Sequence, residues 1–282
     1  MRLAITAVKV SLLLPFLSCS LILDSHKAQC SKDSDCTEHG ANLVCVEQVC
    51  LTSSSPWSCL GNVTWPTPPP SRVTLEVPVI DVINGGFPRD LQVRACSKLD
   101  VQCLSPLASA AVDVSSSPGH LKVTLDSGFD GYLELTGPTI TPALFFVIKP
   151  LWEDTALTVP LRVVSAEGFQ GIAQAIGTTL DLTSSGHVYA LASDCSEAAA
   201  AGVRFEIDKK SAQTAGYYMI NGTPVSTSPA TDASGAGGFL NLPTGFVKLT
   251  GYVSNTGARI GEAGFVIRAG AVSYPRLIPT PT

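Results

Sequence analysis

The chain has 282 residues, room for about two domains, and 45% of them are hydrophobic, which excludes a chain disordered throughout. Only 15% are charged, against 24 Gly and 20 Pro, a balance that favours turn-rich β structure over long helices, whose solvent faces need Glu, Lys and Arg. The 18 Lys and Arg are scattered through a chain of net charge -5, so there is no basic footprint for a phosphate backbone and nucleic acid is excluded as a partner.

The N-terminus carries Arg2 and Lys9 and then an apolar run from Val10 to Leu17 broken by Pro15. Residues 1–20 read as a signal peptide, and the run is too short to span a bilayer. Phe16-Leu17-Ser18-Cys19 resembles a bacterial lipobox, which makes Cys19 a lipidation candidate; ordinary cleavage after Ser20 is the alternative. Either way the expectation is an exported protein, an outer-membrane or cell-surface lipoprotein with a lipid anchor on the membrane, or a secreted one.

Of nine cysteines, setting Cys19 aside leaves Cys30, Cys36, Cys45, Cys50, Cys59, Cys96, Cys103 and Cys195. An even set in an exported chain implies up to four disulfides, with the connectivity open. The first four fall in residues 21–55, a segment too short and polar to fold on an apolar core, so a small disulfide-rich module is expected. Zinc is the rival chemistry, from the thiolates with His39, but no C-x2-C pair occurs. Asp33-Ser34-Asp35 begins like a calcium loop and breaks off at Cys36. No metal and no cofactor is therefore assigned. The cysteine pattern resembles short four-cysteine modules near the N-termini of exported myxobacterial proteins, which implies extracytoplasmic display.

Residues 56–72 are a Pro/Ser/Thr-rich linker, with Trp57 and Trp65 flanking Cys59 and expected to pack on the β domain that follows. From Val73 the pattern is all-β, and 73–158 is expected to be a first sandwich of about seven strands. The run Leu144 to Leu151 is apolar enough for a strand buried on both faces. Residues 159–185 form a connector, in which Phe169, Ile172, Ala173 and Ile176 share one helical face and Gly177 supplies a stop. This helix is expected to pack between two β domains.

The second domain spans 186–274, ahead of a Pro-rich tail at 275–282. Its centre, Thr231 to Tyr252, reads as a Gly/Ser turn, a strand ending at Pro243, a turn at Thr244-Gly245 and a further strand: a β-hairpin. Ser115 to Thr136 is a weaker copy. Gly235, Gly237, Gly238 and Gly245 are expected to be turn positions with positive φ.

These segments resemble carboxypeptidase regulatory-like, or transthyretin-like, β-sandwich domains. The second half carries Val203-Arg204-Phe205, Thr231-Asp232-Ala233-Ser234-Gly235, Pro243-Thr244-Gly245 and Tyr252; the first carries Leu91-Gln92-Val93, Ser117-Pro118-Gly119, Leu121-Lys122-Val123 and Tyr132, without the Thr-Asp pair or the P-x-G. The resemblance implies two copies of a non-catalytic module. The expected fold class is thus mainly β: two Ig-like/transthyretin-like antiparallel β-sandwiches joined by a short helical segment and preceded by a small disulfide-rich module.

The residues offer little catalytic chemistry. His26, His39, His120 and His187 form no Y-x-H-x-H set, and no G-x-S-x-G, H-E-x-x-H or phosphate-binding Gly loop occurs. Asp126, Asp130 and Glu134 cluster on the first hairpin, as carboxylates that cleave glycosides do, but turn aspartates are common. The function expected is a non-enzymatic cell-envelope protein that acts as a display, scaffold or interaction module for an envelope or extracellular protein. The alternative is a polysaccharide-binding module using Trp57, Trp65, Trp152, Tyr217 and Tyr218; an enzyme with an unrecognised site is the third reading.

Overall fold

The computed structural model describes residues 28–40, 43–52, 55–67, 69–81, 90–113, 119–157 and 159–281. The signal segment and Cys19 lie outside the described residues. A 3-10 turn, Asp33–Glu38, and the hairpin of β1 (Leu43–Val46) with β2 (Val49–Thr52) make up the N-terminal module. Cross-links do the work of a core there, Cys30 pairing with Cys45 and Cys36 with Cys50. The two aspartates of the calcium-like stretch serve the backbone: Asp35 accepts from Ser31 N at 2.8 Å and Asp33 from Cys45 N at 2.8 Å.

The remaining strands are β3 (Arg72–Asp81), β4 (Gln92–Ser97), β5 (Ala108–Asp113), β6 (Gly119–Asp126), β7 (Gly131–Thr136), β8 (Ala143–Val147), β9 (Thr155–Ala156) and β10 (Leu161–Val163). After helix α1 (Ala166–Ala175) come β11 (Ser185–Ala192), β12 (Val203–Ile207), β13 (Ala215–Ile220), β14 (Thr223–Val225), β15 (Ala236–Pro243), β16 (Gly245–Val253), β17 (Arg259–Ile267), β18 (Val272–Tyr274) and β19 (Arg276–Leu277). The protein is mainly β, with sheets packed as open sandwiches. A central sheet runs β5-β4-β7-β8-β18-β11-β15-β13-β14. One outer sheet holds β3, β6, β9 and β10, and β5 bends from the central sheet into it, pairing first with β4 and then with β6. The other outer sheet is β12-β16-β17.

Side chains alternate across the central sheet, so each strand feeds two cores. Tyr132, Leu144, Phe146, Val188 and Ala190 join the core shared with β16 and β17. Their neighbours Leu133, Phe145, Tyr189 and Tyr274 join the core shared with β3 and β6. Two-sided burial is why β8, β11 and β15 are apolar almost throughout. Strands from 73–158 and from 186–274 thus lie in one sheet, across a seam filled by β18, which pairs in parallel with both β8 and β11. The tail expected at 275–282 is part of this arrangement: β19 pairs with β11, and Leu277 and Ile278 are buried.

Both expected hairpins are arches. β15 hydrogen-bonds to β11 and β13 in the central sheet, while β16 pairs with β12 and β17 in the outer one. The upstream copy does the same, β6 pairing with β3 and β5 and β7 with β4 and β8. A two-residue turn between alternating strands has the same local signature whether the strands pair with each other or face each other across a core. The glycines of the stretch divide accordingly. Gly235 and Gly245 have positive φ, +65° and +118°. Gly237 and Gly238 do not; they sit inside β15, where a Cβ on Gly238 would run into the Val188 carbonyl oxygen and one on Gly237 would lie 2.8 Å from the Tyr217 carbonyl oxygen.

α1 forms where the apolar spacing places it. Ser165 accepts from Gly168 N at 3.2 Å as the N-cap, Phe169 and Ala173 are buried, and Gly177 ends the helix at φ +72°. Phe169 packs against His187, their ring centroids 5.8 Å apart. His187 is fully buried; its Nδ1 accepts from Asn241 N at 3.2 Å and its Nε2 has no partner. His187 is interior because β11 is covered on both faces, and alternation places it on the Tyr189 side, in the layer of Phe169; a β-bulge at Asn241, φ +56°, lies opposite it on β15. Asn241 holds the bulge by donating to Thr179 O at 2.8 Å and accepting from Asp181 N at 3.0 Å.

Two outcomes follow from this packing. Gly238→Ala should lower unfolding free energy by about 3 kcal/mol or more, because backbone blocks the new methyl group, whereas Gly245→Ala, with open space around it, should cost about 1–2 kcal/mol of backbone strain; urea denaturation of both variants measures the difference. Burial lowers the pKa of His187 to about 4. Between pH 6.5 and about 4 the unfolded chain therefore binds a proton that the folded chain refuses. Stability should fall as pH drops through that window, by up to about 3 kcal/mol, and the slope should flatten in His187→Gln.

Candidate interaction surface

The loop from Ser97 to Leu107 joins β4 to β5, and it is built to be rigid. The Cys96–Cys103 disulfide closes it over a separation of seven residues. Asp100 organises its centre: its carboxylate accepts from Leu104 N at 3.0 Å and Ser105 N at 2.8 Å, its backbone N–H donates to Ser97 O, and its carbonyl accepts from Cys103 N at 3.0 Å. Those amide donors to Asp100, Ser105 first, hold its carboxyl below the usual range. Tyr132 reaches from β7 to donate to Asp100 O at 2.6 Å, and Leu107 N donates to Ala95 O at 2.8 Å.

Beneath the loop lies an ion triad. Glu134 is 2% exposed and sits between Arg94 of β4 and Arg268, which follows β17. Arg94 Nε donates to Glu134 Oε2 at 2.7 Å, and Arg94 Nη1 continues to Cys103 O at 3.2 Å. The three carboxylates that the sequence places on one hairpin are thereby separated. Asp126 pairs with Arg72 and Asp130 with Lys98 at the surface, both at 3.4 Å, while Glu134 is interior because its strand is covered on both faces.

The loop exposes apolar groups. Leu99, Leu104 and Leu107 are 82%, 84% and 62% exposed, half of the large hydrophobic side chains so exposed among the described residues. Scattered surface leucines need no explanation. Three on one braced eleven-residue loop are a local concentration of exposed apolar groups, the kind of feature that binding surfaces share. Rigidity matters because a contact made here loses little conformational entropy. The loop carries no recognised motif in the sequence; the available signal was three leucines around a short cysteine pair in a polar, Asp-containing turn.

The aromatic residues assigned to sugar binding are dispersed. Tyr217 is buried and donates to Val188 O at 3.2 Å, and burial pushes its pKa well up. Tyr218 is half-buried against Phe205, whose N–H it accepts at 2.9 Å. Trp57 is buried as well, beside Gly202 and Val253 of the second half and in the core that also holds Cys96 and Tyr132, two positions from the Cys59–Cys195 disulfide. Trp65 is half-exposed in the linker and Trp152 lies under the Lys149 ammonium, 5.0 Å from the ring centroid. Interior positions remove Trp57 and Tyr217 as ligand contacts. All eight cysteines of the described residues are paired, so none of those sulfurs is a thiolate for a metal.

No protein-family model matches the chain, and no curated protein sequence matches it. Among solved structures it is similar to the Bacillus anthracis TIE protein, at TM-score 0.25 and 12% identity over 74% of this chain and 34% of that one, so the chain spans about a third of that protein's length. It is also similar to the shaft pilin spaA from Lactobacillus rhamnosus GG, at TM-score 0.22 and 13% identity over 76% of this chain and 99% of that one. A streptococcal ancillary pilin aligns at TM-score 0.22 and 13% identity over 73% and 68% of the two chains.

The triad can be probed directly. Glu134→Ala should leave the mostly covered Arg268 guanidinium without its carboxylate, beside a partly exposed Arg94, and cost about 3 kcal/mol. Asp130→Ala, which removes an exposed pair, should change stability by less than about 1 kcal/mol; guanidinium denaturation of the two variants side by side reads the contrast.

Proposed function

We propose that the protein is a non-enzymatic, exported module of the cell envelope that presents its braced, leucine-bearing loop to a protein partner. The observation that carries the proposal is the exposure of Leu99, Leu104 and Leu107 on a loop fixed by a disulfide, Asp100 and Tyr132. Four disulfides suit an oxidising compartment. Among the described residues no helix is long and apolar enough to cross a membrane. In this proposal the Cys19 lipid holds the chain at the membrane, the disulfide module and linker act as a stalk, and the strands form a carboxypeptidase regulatory-like scaffold that accompanies the function without performing catalysis.

Burying three leucines is a sufficient driving force for a specific contact, at about 1.5–3 kcal/mol for each side chain fully covered. The contact would be apolar at its centre and ringed by the loop's polar groups, the arrangement of an interface hot spot. Envelope proteins captured on immobilised wild-type protein should be lost by at least ~10-fold on Leu99→Ser/Leu104→Ser, since two core contacts of about 1.4 kcal/mol or more disappear. The variant's melting temperature should not fall, because neither side chain supports the fold. Equal capture by variant and wild type would overturn the proposal, and retention on insoluble polysaccharide by both would favour the sugar-binding alternative.

A further inference from the structure

The two faces of the central sheet are not filled equally well. On the side of β3, between that strand and the β7–β8 pair, a pocket of about 270 Å³ remains open to solvent at one end. Its depth is lined by Leu75, Val77, Leu133 and Phe145, all of them buried. The chain leaving β8 through Ile148 and Pro150 departs from the sheet, and β9 pairs with only two residues of β3, so among the described residues the space between stays open. Water in an apolar pocket finds few hydrogen-bond partners, and the lining atoms forgo dispersion contacts. An apolar occupant gains on both counts. An engineered cavity of about 150 Å³ takes up benzene. At ~30 Å³ for a water-sized group, this pocket takes a chain of about eight to ten carbons.

The mouth has a different chemistry. Lys149 and Arg276 both bind Glu197, Lys149 Nζ at 2.5 Å from Oε1 and Arg276 Nη1 at 3.4 Å from Oε2. These cations, Lys149 first, hold the Glu197 carboxyl below its usual range. Arg276 spends further donors on Ser193 Oγ at 3.0 Å and Glu197 O at 2.6 Å. Among the described residues Lys149 has one hydrogen-bond partner, Glu197, for an ammonium with three donors, and its side chain is 36% exposed. The rim's formal charges balance, Lys149 and Arg276 against Glu197 and Glu153, but among the described residues Glu197 takes only one of the three Lys149 donors, which leaves the ammonium able to bind a further anionic acceptor. The other rim carboxylate, Glu153, is exposed, where solvent and salt screen it.

We propose that this pocket binds a medium-chain amphiphile ending in a carboxylate, its hydrocarbon body between Val77 and Phe145 and its carboxylate on Lys149. Such a ligand supplies the missing apolar contacts and a charged acceptor for the unused Lys149 donors together. A neutral alcohol of the same length supplies only the first, and a short carboxylate only the second. The proposal does not depend on the partner loop, whose leucines lie outside the pocket lining.

Isothermal titration of the full, disulfide-intact chain with decanoate, decanol and acetate, below micellar concentrations, tests both halves. The expected result is one saturable decanoate site, with affinity at least ~10-fold above that for decanol and no measurable acetate binding. Lys149→Met should reduce decanoate affinity by at least ~10-fold and leave decanol unchanged. Val77→Phe, which fills the floor, should abolish binding of both; if that variant fails to fold, Lys149→Met carries the test alone. Non-saturable uptake of decanoate, or decanoate affinity unchanged in Lys149→Met, would overturn the proposal. Equal affinities for decanoate and decanol in the wild type would overturn it as well, by removing the role of the carboxylate.

Discussion

Three residues near the C-terminus, Val272–Tyr274, hydrogen-bond to β8 on one side and β11 on the other, and the architecture follows from that placement. Without β18 the central sheet would end in two exposed edges, each a row of unpaired amides and carbonyls. With it, the sheet is continuous and both of its faces must be covered over its whole width. The seam is also packed in depth. The Tyr274 ring stacks on Phe145 of β8 with centroids 4.4 Å apart and meets Tyr189 of β11 at 5.8 Å. Ser273, fully buried on the opposite face, donates to Val266 O at 2.7 Å and so anchors the strand to the outer sheet. Because β18 closes contacts with strands far earlier in the chain, the two halves become one sheet only when residues 272–274 are in place.

The sequence showed the strands, and what it concealed was which strand each one faces. Alternation, Gly-containing turns and the α1 pattern around Phe169 and Ala173 are local properties, and they placed most elements near their observed positions. Pairing is not local. Pro243-Thr244-Gly245 and Ser127–Asp130 look like hairpin turns because an arch also needs a short polar reversal between two alternating strands. Composition offered a clue in Gly237 and Gly238: two glycines inside a strand weaken it unless backbone must approach closely on each side, and in β15 it does, from β11 and β13. The same limit explains the aromatic residues. Tyr217 and Trp57 are as apolar as they are polar, and only the fold decides that they point inward.

The disulfides divide by task. Cys30–Cys45 and Cys36–Cys50 substitute for a core in a segment too small to have one. Cys59–Cys195, across a separation of 136 residues, fixes the linker against the far half of the chain, where Cys195 N also donates to Pro56 O at 3.0 Å. Cys96–Cys103 closes so short a loop that its entropic contribution to global stability is the smallest of the four; its effect is to hold the shape of one surface. That is an expenditure a fold does not require, since β4 and β5 are neighbours in any case, and it is best understood through what the loop exposes.

Loop and pocket arise at the same end of the sheet. Register pairs Ser97 with Gly131 and Gly131 with Val147, so β4 finishes, β7 begins and β8 finishes at one level, and both the 97–107 loop and the 148–152 segment leave from there. They lie on opposite faces, Cys96 and Tyr132 belonging to one core and Leu133 and Phe145 to the other. The two faces are finished differently at this level. On one face the gap is closed by the disulfide-braced loop over the Glu134 triad, which turns its leucines to solvent because the space below is occupied by charge. On the other the 148–152 segment stands clear of β3, and the gap stays open beneath Trp152. Loop and pocket thus finish one end of the sheet on its two faces, and β7 carries a residue of each: Tyr132 under the loop and Leu133 in the pocket wall.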